Sequence, residues 1–533
     1  MAISKRDKYI GSLLGAAIGD ALGWPKEQNS NNMLRANDAI NEVFIEWKRR
    51  CGGKYYPHEE TVFAGEYSDD TQLLISTLRS VLKKEQWSTY YKKFELPAWI
   101  AYERGGGGAT KRAAESWKKG IAPWDLKNNI SKDIYRYFMA GGNGVAMRIL
   151  PHVYNNESEI SFIMKQVLLN GMYTHGHPRA LIGALLYASA ARYLISLDNT
   201  LQYGGLIDYL LRNEKEWTEV PEINNLTTWT DCFKKVLNQD YFVEWNNIVK
   251  ETVSYLSIAK ESMELGVLDI GDDVLTKIGC FDKSVNGAGN ITAVASIYIF
   301  SKYASNPTAA IIEAANLKKA DTDTIASMVG GLVGSLYGRE WIPVEWRMLQ
   351  DYSMFEILVD ELLSNHDVVT FDKSKSYQLL SKEMIKGLQI GTEIEVLPFG
   401  NIELGEVRNE KCNGHTYSVQ TYIFKTDYNQ KIFVKCISKN SNKEEQKSIA
   451  SPEIRAQKIR FDITVLQEIT KQFNKVSTTN DFFEILYEIV SRLENNNFVL
   501  DKLFIDGLKT KWKCYKITKK QIDAVVKILK STQ

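Results

Sequence analysis

The sequence predicts a mostly helical protein that ends in a smaller, mixed α+β region. Three observations carry this expectation. Apolar residues recur at three- and four-residue spacing through much of residues 1–365, the period of a helix with a buried face. Small residues stripe those segments: Gly11, Gly15 and Gly19 fall four apart, as do Gly330 and Gly334. Such stripes let helices approach closely, which offsets the ~1 kcal/mol that a glycine costs a helix. After residue 385 the texture turns β-rich, with turn signals between short runs.

Taken in order, the helical period covers Tyr9–Leu22, Gln72–Leu82, Pro178–Ile195, Ile291–Tyr303, Thr308–Leu317 and Thr324–Tyr337. Residues 200–285 carry many Trp, Asn and Thr and read as helices with long loops. The β-rich runs are Gly391–Pro398, Glu403–Arg408, Thr416–Lys425 and Lys431–Ile437, a small antiparallel sheet or barrel. Asn440–Ser451 is polar and reads as a linker. Glu453–Phe473, Asp481–Leu493 and Lys520–Leu529 read as helices again. The expected domains are therefore 1–365, a β-rich module at 386–440 and a helical module at 451–533.

The 533 residues are 44% hydrophobic and 25% charged, which argues against disorder or a disulfide miniprotein. A chain this long buries a sizeable core without metal or disulfide staples. Lys+Arg number 66 and Asp+Glu 65, so no global field draws polyanions. From residue 366 onward the counts are 27 and 21, leaving 39 and 44 for the remainder; the C-terminal third is mildly basic. The six cysteines form no C-x-x-C pair, which fits a reduced, cytoplasmic setting and argues against a zinc ribbon. Lys5, Arg6 and Lys8 before the apolar run Ile10–Ile18 imitate a signal peptide, but no A-x-A-like cleavage site follows. No run of about 20 apolar residues predicts a membrane span.

Two acidic clusters carry the chemistry: Ser68-Asp69-Asp70-Thr71 and Asp321-Thr322-Asp323-Thr324, each opening a helix. One such cluster alone reads as a helix cap. Two of them supply four carboxylates, and a pair of like charges 4 Å apart repels by ~4 kcal/mol at an effective dielectric of 20. Divalent cations would offset that repulsion. Carboxylate and hydroxyl oxygens suit hard ions such as magnesium or manganese.

These motifs also carry a resemblance. Gly11-Ser12-Leu13-Leu14-Gly15 running on to Gly19-Asp20-Ala21-Leu22-Gly23, then Ser68-Asp69-Asp70-Thr71-Gln72, Gly142-Asn143-Gly144-Val145-Ala146-Met147-Arg148, Thr174-His175 and Asp321-Thr322-Asp323-Thr324 follow one another in order. In this the chain resembles the ADP-ribosylglycohydrolase family over roughly residues 5–340. The resemblance implies an all-α orthogonal helical bundle with two divalent cations, usually Mg2+ with Mn2+ as the alternative. Ser68, Asp69, Asp70, Asp321, Asp323 and Thr324 match its metal ligands. Its activity would be hydrolysis of the C1″ bond that joins ADP-ribose to a modified protein, nucleic acid or small molecule. Asp69 and Asp323 then count as catalytic, and Glu27 as a carboxyl that assists proton transfer; a solvated surface glutamate is the plain alternative.

Glycine supplies the phosphate logic, because it lets backbone N–H groups approach an anion. Gly107 and Gly108, with Thr110 as N-cap, and Gly142, Asn143 and Gly144 are candidate substrate contacts, along with Met147 from the same motif. His175 reads as a loop hydrogen-bonder bordering the pocket, and Asp20 as a supporting residue that needs a buried partner. The family commonly has Gly-Gly where this chain has Lys319-Ala320. Lys509, Lys511, Lys513, Lys516, Lys519 and Lys520 interleave with Trp512 and Tyr515. A solvated face explains that run better than nucleic-acid binding, and a protein partner is the expected use of the C-terminal region. The competing functional reading is a non-catalytic ADP-ribose-binding protein that signals through that region.

Overall fold

The computed structural model describes residues 3–27, 40–155, 159–198, 200–266, 273–364, 377–412 and 416–439. The chain divides into two compact units, Met1–Ser441 and Asn442–Gln533. The second unit lies outside the described residues. So do the linker and helices expected after residue 440 and the lysine-aromatic run at 509–520.

The principal helices are α1 (Lys5–Gly23), α2 (Asp69–Val81), α3 (Leu96–Tyr102), α4 (Gly108–Lys118), α5 (Ile160–Met172), α6 (Pro178–Ser196), α7 (Tyr241–Leu265), α8 (Gly289–Lys302), α9 (Pro307–Ala315), α10 (Thr322–Tyr337) and α11 (Tyr352–Leu363). The fold is the expected helical bundle. At its centre α1 lies against α10, backbone to backbone. A Cβ on Gly15 would stand 2.2 Å from the Gly330 carbonyl oxygen, and one on Gly19 would stand 2.0 Å from that of Ala326. The glycine stripe is therefore a contact surface. α6, α8 and α9 pack around α10. Leu13, Ile18, Leu185, Ile297 and Val329 are fully buried between them, each contributing roughly 1.5–3 kcal/mol.

One buried cation closes a helix end. Lys8 Nζ donates to the carbonyl oxygens of Leu194, Ile195 and Leu197 at 3.2, 2.8 and 2.7 Å. These carbonyls lie in the last turn and cap of α6, where a cation suits the negative end of the dipole.

Among the described residues the strands are β1 (Trp47–Cys51), β2 (His58–Val62), β3 (Glu393–Val396), β4 (Gly400–Asn409), β5 (Lys411–Cys412), β6 (Tyr417–Thr426) and β7 (Lys431–Lys439). They form two antiparallel sheets, ordered β1-β2-β5 and β3-β4-β6-β7. The pair β1–β2 is an addition to the expected elements, and β5 from the C-terminal side pairs with it. The inner face of the larger sheet shares one apolar cluster with the helices. Phe399, Leu404, Phe424 and Val434 meet Leu73, Trp99 and Tyr102 there. Arg79 of α2 reaches into this boundary, donating to both oxygens of Glu95 and to Gln430. Among the described residues no helix is long and apolar enough to cross a membrane.

Candidate active site

The C-terminal end of α1 fastens both acidic turns. Asp20 is fully buried and accepts from the Ser68 N–H with both oxygens at 3.1 Å. Its Oδ2 also accepts from the Thr71 N–H at 3.0 Å and the Thr71 hydroxyl at 2.6 Å. Three residues on, the Gly23 carbonyl accepts from the Thr322 hydroxyl at 2.9 Å, and Gly23 has no room for a Cβ against the Thr322 backbone. Positions 20 and 23 lie on one side of a helix, so a single helix end holds Ser68–Thr71 and Asp321–Thr324 together.

Both turns open helices. Ser68 is the N-cap of α2, its hydroxyl accepting from the Asp70 N–H. Asp321 occupies the N-cap position of α10 without a side-chain cap bond. Its carboxylate is directed elsewhere: Oδ2 accepts from the Asn143 amide at 2.9 Å. The capping reading therefore holds for the Ser68 side chain and not for that of Asp321.

The carboxylates converge. Glu27, just beyond the short 3-10 turn Trp24–Lys26, meets Asp321 and Asp323, with one oxygen from each within 4.8 Å of the others. Burial and then the charges of Asp321 and Asp69 push the Glu27 carboxyl up to about 8. Burial, followed by Glu103 and Asp20, pushes Asp69 up to about 7. Asp70 is raised well above the usual range by burial and by Asp20, Asp69 and Asp321. Burial and Glu27, Asp321 and Asp70 do the same to Asp323. Asp70 Oδ2 is buried with no hydrogen-bond partner. An all-oxygen set under mutual repulsion, with an orphaned carboxylate oxygen on the interacting Asp70, fits hard divalent cations.

The glycine segments border this cluster. Gly105 takes a positive φ of 108°, and a Cβ there would touch Asp69 Oδ1 at 3.0 Å. Gly107 is the N-cap of α4 with open space around it, and Gly108 follows. Thr110 is not the cap; it sits buried inside the first turn, 3.4 Å from where a Gly144 Cβ would lie. Gly142 bridges to Ala288, and the Asn143 N–H donates to the Gly287 carbonyl. His175 lies beside Gly142 and Gly144, its Nδ1 hydrogen-bonded to the Thr174 hydroxyl at 2.8 Å. Burial, with Arg148 and Arg112 nearby, lowers His175 to about 3, so it is neutral. His177 caps α6 by accepting from the Arg179 N–H. Met147 is buried in the apolar cluster with Leu73 and Tyr173.

Arg148, within the Gly142–Arg148 motif, has a structural task that the motif alone does not specify. It is fully buried, donating to the Gly144 carbonyl at 2.6 Å, the Thr174 hydroxyl at 2.8 Å and both oxygens of Asn170. It supports the Gly144 turn from below. Its place in the third motif was the available signal. The Asn143 side-chain amide reaches Thr292 and Asp321.

The ADP-ribosylglycohydrolase family model matches residues 1–370. ADP-ribosylhydrolase ARH3 of Xenopus tropicalis is 25% identical over 362 residues, 64% of this chain and 90% of the relative. ADP-ribosylarginine hydrolase Tri1 of Pseudomonas putida (strain GB-1) is 21% identical over 350 residues, 64% of this chain and 73% of the relative. A solved chain described as an "ADP-ribosylglycohydrolase-related protein complex" aligns at 20% identity and a TM-score of 0.42, over 67% of this chain and 97% of its own. With the family model spanning well over half of its length, this chain belongs to the ADP-ribosylglycohydrolase family and is an enzyme of that type.

Proposed function

We propose that this enzyme releases ADP-ribose from a modified substrate by hydrolysing the C1″ glycosidic bond, using two divalent cations, Mg2+ or Mn2+. The observation that supports the reading is the gathering of Glu27, Asp321 and Asp323 within 4.8 Å, close enough to Asp70 for its charge to act on Asp323. Ser68, Asp69 and Asp70 would serve one side of the cation site, and Asp321, Asp323 and Thr324 the other. When bound, such ions neutralise the clustered carboxylates and polarise the oxygens they touch.

The chain's own groups do the rest. Asn143 fixes the direction of Asp321. Glu27, beside Asp321 and Asp323, is the carboxyl placed to hold or pass a proton. Backbone N–H groups at Gly107, Gly108, Gly142 and Gly144 offer donors for a pyrophosphate, the Asn143 N–H being taken by the Gly287 carbonyl. Neutral His175 presents a polar edge to that turn without adding charge. Met147 supports the turn from the apolar side.

Turnover of ADP-ribosylated arginine, serine and nucleic-acid substrates with Mg2+ or Mn2+ tests the proposal. Asp323→Ala should lose on the order of 100-fold or more in turnover, as removal of a transition-state stabiliser does, while circular dichroism and thermal unfolding stay near wild type. Wild-type turnover by that variant in the presence of a chelator would overturn the proposal.

A further inference from the structure

Behind the acidic cluster lies a second charged group that the proposed reaction does not use. Glu60 of β2 is 2% exposed and gathers three cations. Arg104 Nε donates to Oε1 at 3.0 Å, and Lys435 Nζ to Oε2 at 3.0 Å, with Arg49 at 3.5 Å. Burial would push the Glu60 carboxyl up, but Lys435, Arg104 and Arg49 outweigh it and hold the group well below the usual carboxylate range. Arg104 also pairs with Glu66 at 2.8 Å, and Glu66 in turn lies 3.6 Å from Arg408 of β4. The Arg104 guanidinium stands 4.2 Å from the centre of the Phe433 ring and 5.4 Å from that of Trp24. Stacking of this kind needs the flat guanidinium and a fixed ring.

Arg104 directly precedes Gly105, where a Cβ would stand 3.0 Å from Asp69 Oδ1. Its N–H donates to Gln72 of α2, one turn beyond Asp69. Lys435 and Phe433 belong to β7, outside the 1–370 stretch that the family model matches. A family-type site in this chain is thus braced by a strand that the family pattern does not supply.

We infer that the C-terminal sheet is a working part of the active site. Lys435 and Phe433, acting through Glu60 and Arg104, hold the Gly105–Gly108 turn in place beside Asp69. Arg104 and Lys435 are positioning residues, because neither touches the reacting groups. The inference rests on the proposed function for its consequence in catalysis. The structural coupling has its own readout in amide exchange.

The test uses the full-length chain. Lys435→Met removes one cation from Glu60, and Phe433→Leu removes the ring under Arg104 while leaving the charges intact. In both variants, amide exchange should accelerate at residues 103–108 but not in α1 or α10. KM for an ADP-ribosylated substrate and the dissociation constant for free ADP-ribose should rise about tenfold, with kcat changed less, as expected for a displaced binding turn. Lys435→Arg should restore wild-type values, and Lys425→Ala, an exposed lysine of the same sheet, should match wild type throughout. Unchanged exchange at 103–108 in both variants overturns the inference, as does an equal rise across the whole unit. If the wild type neither binds nor releases ADP-ribose, the functional proposal fails, and the exchange result still decides the coupling.

Discussion

His152 is fully buried, accepts from the Asn170 amide at Nε2 and leaves Nδ1 without a partner. Asn170 also receives Arg148, whose guanidinium holds the Gly144 carbonyl. Burial and the adjacent Arg148 lower His152 to about 3, against an unfolded value near 6.5. Its neutral form therefore stabilises the fold fully above pH ~6.5, and that contribution is lost as pH falls toward 3. Between pH 7 and 5 the loss is about 2 kcal/mol, from roughly 1.4 kcal/mol per pH unit below 6.5. Urea unfolding of wild type and His152→Gln at both pH values should show the variant losing about 2 kcal/mol less on acidification. Equal losses would contradict this. The carboxylates of the site were legible in the sequence because each cluster is local. The partners of Arg104 were not: Glu60 lies 44 positions before it, and Lys435 lies 375 beyond Glu60. No local period encodes such a contact.

Among the elements, α1 and α10 were legible down to their mode of contact, since glycines at four-residue spacing leave one helix face without side chains. The observed separation turns that stripe into a steric requirement. Gly15→Ala puts a methyl 2.2 Å from the Gly330 oxygen and must part the two backbones. A cost of about 3 kcal/mol or more is expected, at or above the upper range for overpacked cores, read as a lowered midpoint in urea. A midpoint within error of wild type would show that the helices are not in backbone contact. Strands β1 and β2 were not legible. Trp47-Lys48-Arg49-Arg50-Cys51 and His58-Glu59-Glu60-Thr61-Val62 are too charged to read as strands. Across the pair Arg49 stands opposite Glu60, an ion pair at 3.5 Å, and Arg50 opposite Glu59, a pattern that propensity along one strand does not register.

For the molecule as a whole, the described part of the chain is one compact unit in which the bundle and the larger, C-terminal sheet share an apolar cluster. The change of texture after residue 385 was visible in the sequence; the docking of the sheet onto α2 and α3 depends on contacts made only in the folded unit. The site lies where α1 gathers both acidic turns, and the cation pair is the claim on which the proposed chemistry stands. Mn2+ titration of the full-length protein, followed by electron paramagnetic resonance, measures it without turnover. Two bound equivalents are expected in the wild type, with at least one lost in each of Asp70→Ala and Asp323→Ala. Undiminished Mn2+ binding in both variants, or none in the wild type, would contradict it.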